Sequence, residues 1–404
     1  MTTIAEPSRT MDDTGPVIVR EAVDESDWRR ADALLFKVFG DSWAQARTLL
    51  EVGAPKILML AEIDGELVGC VQGRLRGVYL PGWAPRAASY DALAVLPACR
   101  DRGVGEMLAI AIIKRGAARG AAFALLRPGF GTGVHRYRRL GWEVCGAWTQ
   151  RSVRPASIAF NAVSACQVRP VTEAFEDLAR CYDRVARHRP GWMTRHASYW
   201  TRLLDPDGGQ ECVGAWDRQG ALVAYAVYAR PEDDREIGLE VTELVGADAP
   251  ARLAIWRAIR ELAGAKSVAY PSGPDDPFYL LAGEQPRVLS EMHWMARALD
   301  VTRAVDGRPF PQGLDASIKL RLHDDQEDAN CGDWVLVIRG GSGHFARGGR
   351  GGCKMSIGHL TALIFAYASA SELRNLGLIE ADDADVQLLD AAFSGPRSWM
   401  QEII

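Results

Sequence analysis

A glycine-containing turn, placed between an apolar run and an apolar helix, is the segment of this sequence best suited to binding chemistry. It reads Leu-Ala-Val-Leu-Pro-Ala-Cys-Arg-Asp-Arg-Gly-Val-Gly over residues 93–105. The free N–H groups and positive dipole end of a helix N-terminus favour an anion, and glycines let the backbone approach phosphate oxygens. Arg100 and Arg102 add positive charge beside Gly103 and Gly105. The segment therefore predicts a diphosphate-binding turn.

A purely structural role for this turn is the alternative. Gly103 could simply end a turn before an ordinary helix, since short glycine motifs also occur by chance. The apolar strand ending at Ala94-Val95 favours the binding interpretation, because its backbone could pair with an extended ligand as an added strand does. A second glycine motif, at residues 129–133, precedes no comparably apolar helix. We expect a flexible loop there.

Tyr137 is the second candidate, in the segment Tyr-Arg-Arg-Leu-Gly-Trp at residues 137–142. A phenol has an ordinary pKa of about 10, so it is protonated at neutral pH and can donate a proton to a leaving group. Taken alone, a tyrosine at the end of a sheet is more often a packing residue. His135 could act as a base because an imidazole titrates near neutrality, although most loop histidines are simply exposed.

The elements that must position these residues follow a mixed α/β order. The hydrophobic pattern predicts strands over 17–23, 56–63, 67–75, 90–95 and 122–126, and helices over 27–39 and 103–120. The Asp64-Gly65 pair between the second and third runs predicts a hairpin. This order is typical of a mixed sheet with a central strand-helix crossover.

A similar order recurs further along the chain. We predict strands over 167–170, 211–216, 221–229 and 242–245, and a helix over 251–262, as a degenerate copy without the glycine-rich turn. A third unit follows, with strands over 316–322 and 334–339, a glycine-rich hairpin over 339–352 and final helices. The expected divisions are a disordered leader at 1–15, a catalytic domain at 16–152, a degenerate domain at 153–300 and a terminal domain at 301–404.

Size and composition limit the classes of function. A chain of 404 residues needs two or three cores, since single cores stop growing at roughly 250 to 300 residues. The formal net charge of −5 argues against a nucleic-acid partner, which requires a basic surface. No segment has the apolar length of a membrane span, and the N-terminal residues lack a signal-peptide pattern. We expect a cytoplasmic protein without a membrane partner.

The cysteines indicate neither metal nor disulfide chemistry. Eight are scattered along the chain without a CxxC pair or a nearby histidine at zinc spacing. Reduced thiols and no bound metal are the expectation.

Several of these segments resemble one known family. The Arg-x-x-Gly-x-Gly spacing at 100–105 resembles the pyrophosphate motif with which GNAT enzymes bind acetyl-CoA. Tyr137-Arg-x-x-Gly-aromatic, Gly191-x-x-x-Arg195 and the Tyr199-Trp200 pair resemble segments of the enhanced intracellular survival (Eis) family of GNAT N-acetyltransferases. Asn330-Cys-Gly-Asp-Trp334 and the Leu360–Leu373 helix resemble its third domain. This resemblance covers nearly the whole chain and implies two GNAT-like mixed-sheet domains followed by a sterol-carrier-like α+β domain.

The resemblance also implies roles for individual residues. Acetyl-CoA, or another acyl-CoA, would be bound by Leu93, Val95, Arg100, Asp101, Arg102, Gly103, Val104 and Gly105. Tyr137 would be the general acid, and the terminal carboxylate of Ile404 would be, or help to position, the general base. The amine substrate would be bound by Asp41, Trp43, Asp91 and Glu402. Family members usually end in an aromatic residue, whereas this chain ends in isoleucine.

The implied function is N-acylation of an amine by direct transfer. Acceptors in the family are aminoglycosides, other polyamines, lysine side chains and natural-product amines, which suggests antibiotic modification, and members form hexamers. Several arginines between 127 and 139 could instead favour an acceptor with an anionic group. The alternatives are a protein lysine acetyltransferase and a non-catalytic protein that binds acyl-CoA or lipid.

Overall fold

The chain is described by a computed structural model over residues 15–43, 54–129, 133–158, 166–172, 174–203, 209–231 and 236–402. Residues 1–14 of the expected leader and the terminal Ile404 lie outside the described residues. In the described ranges, no helix combines the length and the apolar character needed to cross a membrane.

The first unit alternates strands and helices in the predicted order. Its strands are β1 (Ile18–Glu21), β2 (Lys56–Ile63), β3 (Glu66–Gly77), β4 (Arg86–Val95), β5 (Phe123–Leu126) and β6 (Glu143–Val153). Its helices are α1 (Glu25–Phe39), α2 (Val104–Ala118) and the short α3 (Val134–Arg138). Asp24 caps α1 by accepting a hydrogen bond from the backbone N–H of Asp27.

The predicted hairpin between β2 and β3 is confirmed. Asp64 and Gly65 have φ angles of 50° and 81°, and this pair of positive angles is the conformation that favours Asp-Gly in two-residue hairpins. The tight turn sets the antiparallel register, in which Ile63 faces Glu66. It also gives β3 its position beside β4, the strand that leads to the glycine turn.

The second unit has a similar composition of elements. Its strands are β7 (Gln167–Pro170), β8 (Gln210–Trp216), β9 (Leu222–Ala229), β10 (Ile237–Gly246), β11 (Ser267–Ser272) and β12 (Arg287–Ala298). Its helices are α4 (Phe175–Ala186), α5 (Ala197–Leu203) and α6 (Ala249–Ala263). Strand β10 pairs in parallel with β11 and is followed by α6, which repeats the β4-α2-β5 crossover of the first unit.

The two units share one sheet rather than forming separate ones. The strand order is β1-β2-β3-β4-β5-β12-β6-β11-β10-β9-β8-β7. Strand β12 of the second unit lies between β5 and β6, and β6 of the first unit lies between β12 and β11. The units therefore exchange their last strands. The hydrophobic pattern did not predict the long strands β6 and β12, so this exchange was not expected from the sequence.

The third unit is a smaller α+β layer. Its strands are β13 (Ala316–His323), β14 (Gly332–Arg339), β15 (Ser342–Arg347) and β16 (Cys353–Ser356), in the order β15-β14-β13-β16. Its helices are α7 (Ile357–Ile364), α8 (Ala370–Asn375) and α9 (Asp383–Phe393). The single helix predicted for 360–373 is wrong, because the backbone leaves α7 at Ala366, whose φ is 54°, and restarts at a capping box on Ser369.

The third unit packs on the face of the large sheet opposite α2. Along β5, alternate residues belong to different cores, since successive side chains of a strand point to opposite faces. Ala124 and Leu126 pack with α2, whereas Phe123 and Leu125 pack with the third unit. The rings of Phe123 and Phe365 meet edge to face with centroids 5.1 Å apart. The predicted mixed α/β class, with two related domains and an α+β third domain, is confirmed.

Candidate functional site

The glycine turn forms a helix N-terminus without an internal cap. A 3₁₀ turn at Pro97–Cys99 leads from β4 towards α2, and Gly103 takes the N-cap position with a left-handed φ of 73°. Because glycine has no side chain, nothing at the N-cap accepts a hydrogen bond from the first turn. The first N–H groups of a helix have no intrahelical acceptors. They are therefore available, together with the positive dipole end, for an external anion.

The adjoining end of β4 has an open edge. β4 pairs in parallel with β5 only from Ala87 to Tyr90, but it remains paired with β3 up to Val95. The register of β3 and β4 shifts at Asp91, which is the extra residue of a bulge. Because β5 ends at Leu126, the partner of Tyr90, the backbone of β4 beyond Tyr90 has no partner from β5. An extended chain with amide groups can pair with such an edge.

These features line one groove of about 790 Å³. Its walls are the end of β4, the first turns of α2, the helix α3 and the last residues of α1. The lining residues are Val38, Phe39, Leu93, Ala94, Val95, Cys99, Arg100, Asp101, Gly103, Val104, Gly105, Glu106, Ala109, His135, Arg136, Tyr137, Arg139 and Leu140. Seven of the eight residues predicted to bind acyl-CoA thus lie together with Tyr137.

Arg102 is the exception among those eight residues. Its guanidinium donates a hydrogen bond to the carbonyl oxygen of Gly15, 3.3 Å away, and it does not line the groove. Positive charge comes instead from Arg100 and from two arginines of the α3 segment, Arg136 and Arg139. From the sequence, these two arginines were considered only as residues that could favour an acceptor with an anionic group.

Tyr137 faces the groove from α3. Its ring meets that of Trp142 edge to face, with centroids 6.5 Å apart. Burial raises the pKa of the phenol above its ordinary value, and nearby Arg136 offsets only part of this effect. The hydroxyl makes no hydrogen bond to any described residue. Tyr137 is therefore protonated at neutral pH and has its proton available.

A second tyrosine lies behind Tyr137 and was not singled out in the sequence. Tyr90 is the last residue of β4 that pairs with β5, and its ring packs edge to face on Trp142 at 5.4 Å. Its buried hydroxyl has no hydrogen-bond partner in the described part of the chain. Burial raises its pKa well above 10, and the neighbouring Tyr137 raises it further. Tyr90 and Trp142 form the wall against which Tyr137 rests.

The C-terminal tail runs back along the large sheet. Trp399 forms a parallel bridge with Ala147, and its N–H donates to the carbonyl oxygen of Pro190 at 3.0 Å. Gly191 has a φ of 95°, and a Cβ atom there would lie 2.5 Å from the carbonyl oxygen of Trp399. Glycine at position 191 therefore allows the tail to approach closely.

Glu402 anchors the tail between the first two units. It accepts hydrogen bonds from Arg76 of β3 at 2.8 Å and from Arg195 at 2.6 Å, and Arg195 also binds Glu243 at 2.7 Å. Burial alone would raise the pKa of Glu402, but the two arginines outweigh it and lower the pKa to about 2. The segment Gly191 to Arg195, noted in the sequence without a role, thus contacts the tail at both of its ends.

The four predicted substrate residues do not form one cluster. Asp41 is exposed, whereas Trp43 is buried in the core beneath α1 and donates its indole N–H to Asp32 at 3.0 Å. The carboxylate of Asp91 is paired with Arg74 at 2.6 Å. Glu402 is held by its two arginines.

Internal partners explain why three of these positions differ from the expectation. Trp43 fills core space, and the carboxylates of Asp91 and Glu402 neutralise buried arginines of β3. A buried charge without a partner of opposite sign costs free energy, so these two carboxylates pair with arginines and do not face a substrate. Only Asp41 retains an exposed carboxylate. Ile404, the predicted source of the base, lies outside the described residues.

No group of histidine, cysteine, aspartate and glutamate in the described ranges is arranged to hold a metal ion. All eight cysteines are free thiols.

Known protein domains and structures match this chain, although no curated protein does. Acetyltransferase (GNAT) domain models match residues 19–145 and 191–298, and a sterol carrier protein domain model matches residues 301–401.

Three solved structures share the fold over 96% of this chain. A GCN5-related N-acetyltransferase from Anabaena variabilis is 20% identical over its full length with a TM-score of 0.85. One from Kribbella flavida is 23% identical over 99% of its length with a TM-score of 0.80. Eis1 from Mycobacterium abscessus is 19% identical over its full length with a TM-score of 0.79. The chain therefore contains two GNAT acetyltransferase domains and is an acyltransferase, and its fold resembles that of Eis1.

Proposed function

We propose that the first GNAT domain transfers an acyl group, in the simplest case acetyl, from acyl-CoA directly to a primary amine. One observation carries this proposal. The uncapped N-terminus of α2, the open edge of β4 and the protonated phenol of Tyr137 all line the same groove. Diphosphate binding, amide pairing and proton donation are three of the tasks that acyl transfer from CoA requires.

The groove residues fit acyl-CoA in charge and in shape. Backbone N–H groups from Gly103 onward would bind the diphosphate, and Gly105 allows close approach because it has no side chain. Arg100, Arg136 and Arg139 line the groove and would donate charge-assisted hydrogen bonds to phosphate oxygens. Asp101 contributes its backbone, whose φ of 66° shapes the turn.

The transfer needs one proton acceptor and one proton donor. The amine nitrogen attacks the thioester carbonyl, so that a C–N bond forms and the C–S bond breaks. Backbone N–H groups near Val95 would stabilise the charge on the carbonyl oxygen. A base takes the proton lost by the amine, and Tyr137 donates its proton to the departing sulfur. No covalent acyl-enzyme is required.

The terminal carboxylate of Ile404 is our proposed base, acting directly or through a water molecule. An α-carboxyl group has a pKa of roughly 3.5 and is ionised at neutral pH. The supporting observation is that the tail is anchored at Glu402, two residues before the end of the chain, by Arg76 of the catalytic domain. His135 is the competing candidate because it lines the groove.

The acceptor is proposed to be an amine of an aminoglycoside, a polyamine-like compound or another natural product. Asp41 is the predicted substrate carboxylate that remains exposed, and it could pair with a second, protonated amine of the acceptor. Modification of a protein lysine is the alternative acceptor. A cytoplasmic location, a hexameric assembly and a role in antibiotic modification belong to the same proposal.

The test is release of CoA from acetyl-CoA in the presence of aminoglycosides, polyamines and amine antibiotics. We expect one acceptor class to stimulate CoA release by the wild-type chain. A chain extended beyond Ile404 should lose this activity but still bind acetyl-CoA, because the extension displaces the carboxylate and not the groove. If the extended chain is fully active, Ile404 is not the base. If the wild type binds no acyl-CoA, the proposed reaction is wrong.

A further inference from the structure

A second cavity lies in the other GNAT-like domain, at the position that corresponds to the acyl-CoA groove. It is bounded by the end of β10, the start of α6, β11 and the C-terminal tail, and its volume is about 140 Å³. For scale, an apolar cavity of about 150 Å³ can hold one benzene molecule. The space therefore suits a ligand with a single ring and not a nucleotide.

The walls of this cavity are aromatic. Trp192, Trp256, Tyr270, Phe278 and Trp399 all line it. The rings of Trp192 and Trp399 meet edge to face at 5.3 Å, and those of Trp256 and Tyr270 do so at 5.0 Å. Such rings offer both faces and edges for contact with a flat ligand.

Two arginines, Arg189 and Arg252, supply positive charge to this aromatic cavity. Neither guanidinium donates a hydrogen bond to any residue that the structure describes. Both side chains line the same small cavity, and burial together with the charge of Arg252 lowers the pKa of Arg189. Two such half-buried cations repel one another unless an anion lies between them.

Two carboxylates also line the cavity, and one is hydrogen-bonded within the protein whereas the other is exposed. Asp276 accepts hydrogen bonds from the Tyr270 hydroxyl at 2.9 Å and from the N–H of Phe278 at 3.0 Å. Asp275 is largely exposed and has Arg397 4.0 Å away. The arginine pair is therefore the charge that this cavity presents to a ligand.

A glycine in the neighbouring strand makes room for the side chain of Arg252. A Cβ atom at Gly246 would lie 2.0 Å from Cγ of Arg252, so glycine at the end of β10 makes room for this side chain. Arg252 thus covers the strand end whose counterpart in β4 borders the acyl-CoA groove. The residues that line this cavity therefore differ in kind from those of the acyl-CoA groove, and the cavity is not a smaller version of that groove.

We propose that this cavity binds a small aromatic carboxylate with one ring. The ring lies among the tryptophans, and the carboxylate accepts charge-assisted hydrogen bonds from Arg189 and Arg252. This site is distinct from the proposed acyl transfer and does not depend on it. Because Trp399 forms one wall, the ligand contacts the C-terminal tail directly.

The experiment is calorimetric titration of the full-length chain with benzoate and salicylate. Benzamide serves as the uncharged ring and acetate as the carboxylate without a ring, and we expect both to bind at least tenfold more weakly. Arg189→Gln and Arg252→Gln should each weaken benzoate binding by about tenfold or more, as expected for loss of a charged hydrogen-bond donor. Arg218→Gln, in an exposed turn between β8 and β9, is the matched control and should bind as the wild type does.

Three results would overturn the proposal. They are no binding of either aromatic carboxylate, equal binding of benzoate and benzamide, or unchanged binding in both arginine variants. Competition between benzoate and CoA would also contradict it, since the two cavities are separate. Circular dichroism and thermal unfolding establish that each variant is folded. Because the readout is binding, failure of the acyl-transfer proposal leaves this test intact.

Discussion

The two GNAT-like domains use their equivalent strand-to-helix connections in different ways. In the first domain, eight residues (96–103) join β4 to α2, and the connection ends in a left-handed glycine. In the second, two residues (247–248) join β10 to α6, and the side chain of Asp248 accepts a hydrogen bond from the N–H of Ala251. One helix N-terminus is open to a ligand, whereas the other is closed by its own cap.

The groove beside the first helix and the cavity beside the second also differ, both in volume and in the residues that line them. Beside β4 lies a groove of about 790 Å³ bordered by glycines and arginines. Beside β10, Arg252 and the tail residue Trp399 leave a cavity of about 140 Å³. A repeated scaffold therefore need not repeat the same binding site. The same crossover stabilises the protein when its helix dipole is satisfied internally, and it can bind an anion when it is not.

The largest expected effect tests which domain carries the chemistry. Tyr137→Phe should lower kcat by about 10²–10⁴-fold, because it removes the proposed general acid. Since burial raises the pKa of Tyr137, the wild-type rate should not fall through loss of this proton until the pH exceeds 10. The measurement is steady-state CoA release across pH.

Tyr270→Phe is the matched control for that variant in the second domain, and its kcat should remain close to the wild-type value. Equal activity of Tyr137→Phe and wild type would assign the proton donor to another group.

The anchor of the tail between the two domains should give the next effect. Removing one partner of a buried ion pair costs about 3–5 kcal/mol, so Glu402→Gln should loosen the tail and lower the thermal unfolding temperature. The pKa of Glu402 is lowered from 4.5 to about 2. The ionised Glu402 therefore makes its full contribution to the free energy of unfolding above pH 4.5. This contribution is lost as the pH falls from 4.5 towards 2.

By the same linkage, this loss in the wild type amounts to about 3 kcal/mol. Unfolding curves between pH 7 and pH 3 should show roughly 2 kcal/mol of this loss, because the remainder occurs below pH 3, and Glu402→Gln should show a flatter dependence. Glu66→Gln, at an exposed hairpin, is the control and should keep the wild-type pH dependence. An identical slope in Glu402→Gln would show that this carboxylate does not hold the tail.

A charge placed at the open helix end should weaken ligand binding without unfolding the protein. A Cβ atom at Gly105 would lie 3.8 Å from Leu93 and Val95, which is ordinary contact. Gly105→Asp should therefore be tolerated and should even interact favourably with the helix dipole. It should raise the Kd for CoA by about tenfold or more, since it replaces a charge-assisted interaction with repulsion.

Equilibrium binding of CoA is the measurement, with Gly105→Ala as the uncharged control. Ala249→Asp places the same charge at the start of α6 and should leave CoA binding unchanged. Weakening by Ala249→Asp, or by the alanine control to the same extent as by Gly105→Asp, would contradict the assignment of the diphosphate to α2.

The smallest effect concerns the closed helix end. Asp248→Ala should lower the free energy of unfolding by about 1 kcal/mol, because the cap of α6 is lost. Asp248→Asn should keep most of that stability. Denaturant unfolding followed by tryptophan fluorescence would measure both. The Kd for CoA should be unchanged in both variants, and a change would mean that the second domain takes part in acyl-CoA binding.

Local pattern was sufficient for the turn and for most of the elements around it. The alternation of apolar residues, the Asp64-Gly65 pair and the glycines at 103 and 105 each act through their own backbone or their nearest neighbours. The predicted strand at 56–63 and the helix over 103–120 correspond closely to β2 and α2. Such features depend on short-range sterics, which a sequence displays directly.

The accessibility of candidate side chains could not be predicted in the same way. Trp43, Asp91 and Glu402 were expected to face a substrate, yet each has a partner within the protein. Glu402 meets Arg76, 326 residues away. A pattern cannot show that a carboxylate has already been neutralised, because the neutralising arginine is brought to it only by folding.

The sequence by itself therefore determined the mixed α/β class and the glycine turn that precedes α2, and it placed a phenol shortly after β5. The tertiary structure alone decided that β6 and β12 are exchanged between the domains and that the tail passes between them. It also decided that Arg189 and Arg252 face one aromatic cavity. The reason is physical: turns and caps arise from residues a few positions apart, whereas strand exchange and buried charge pairs arise from packing between distant segments.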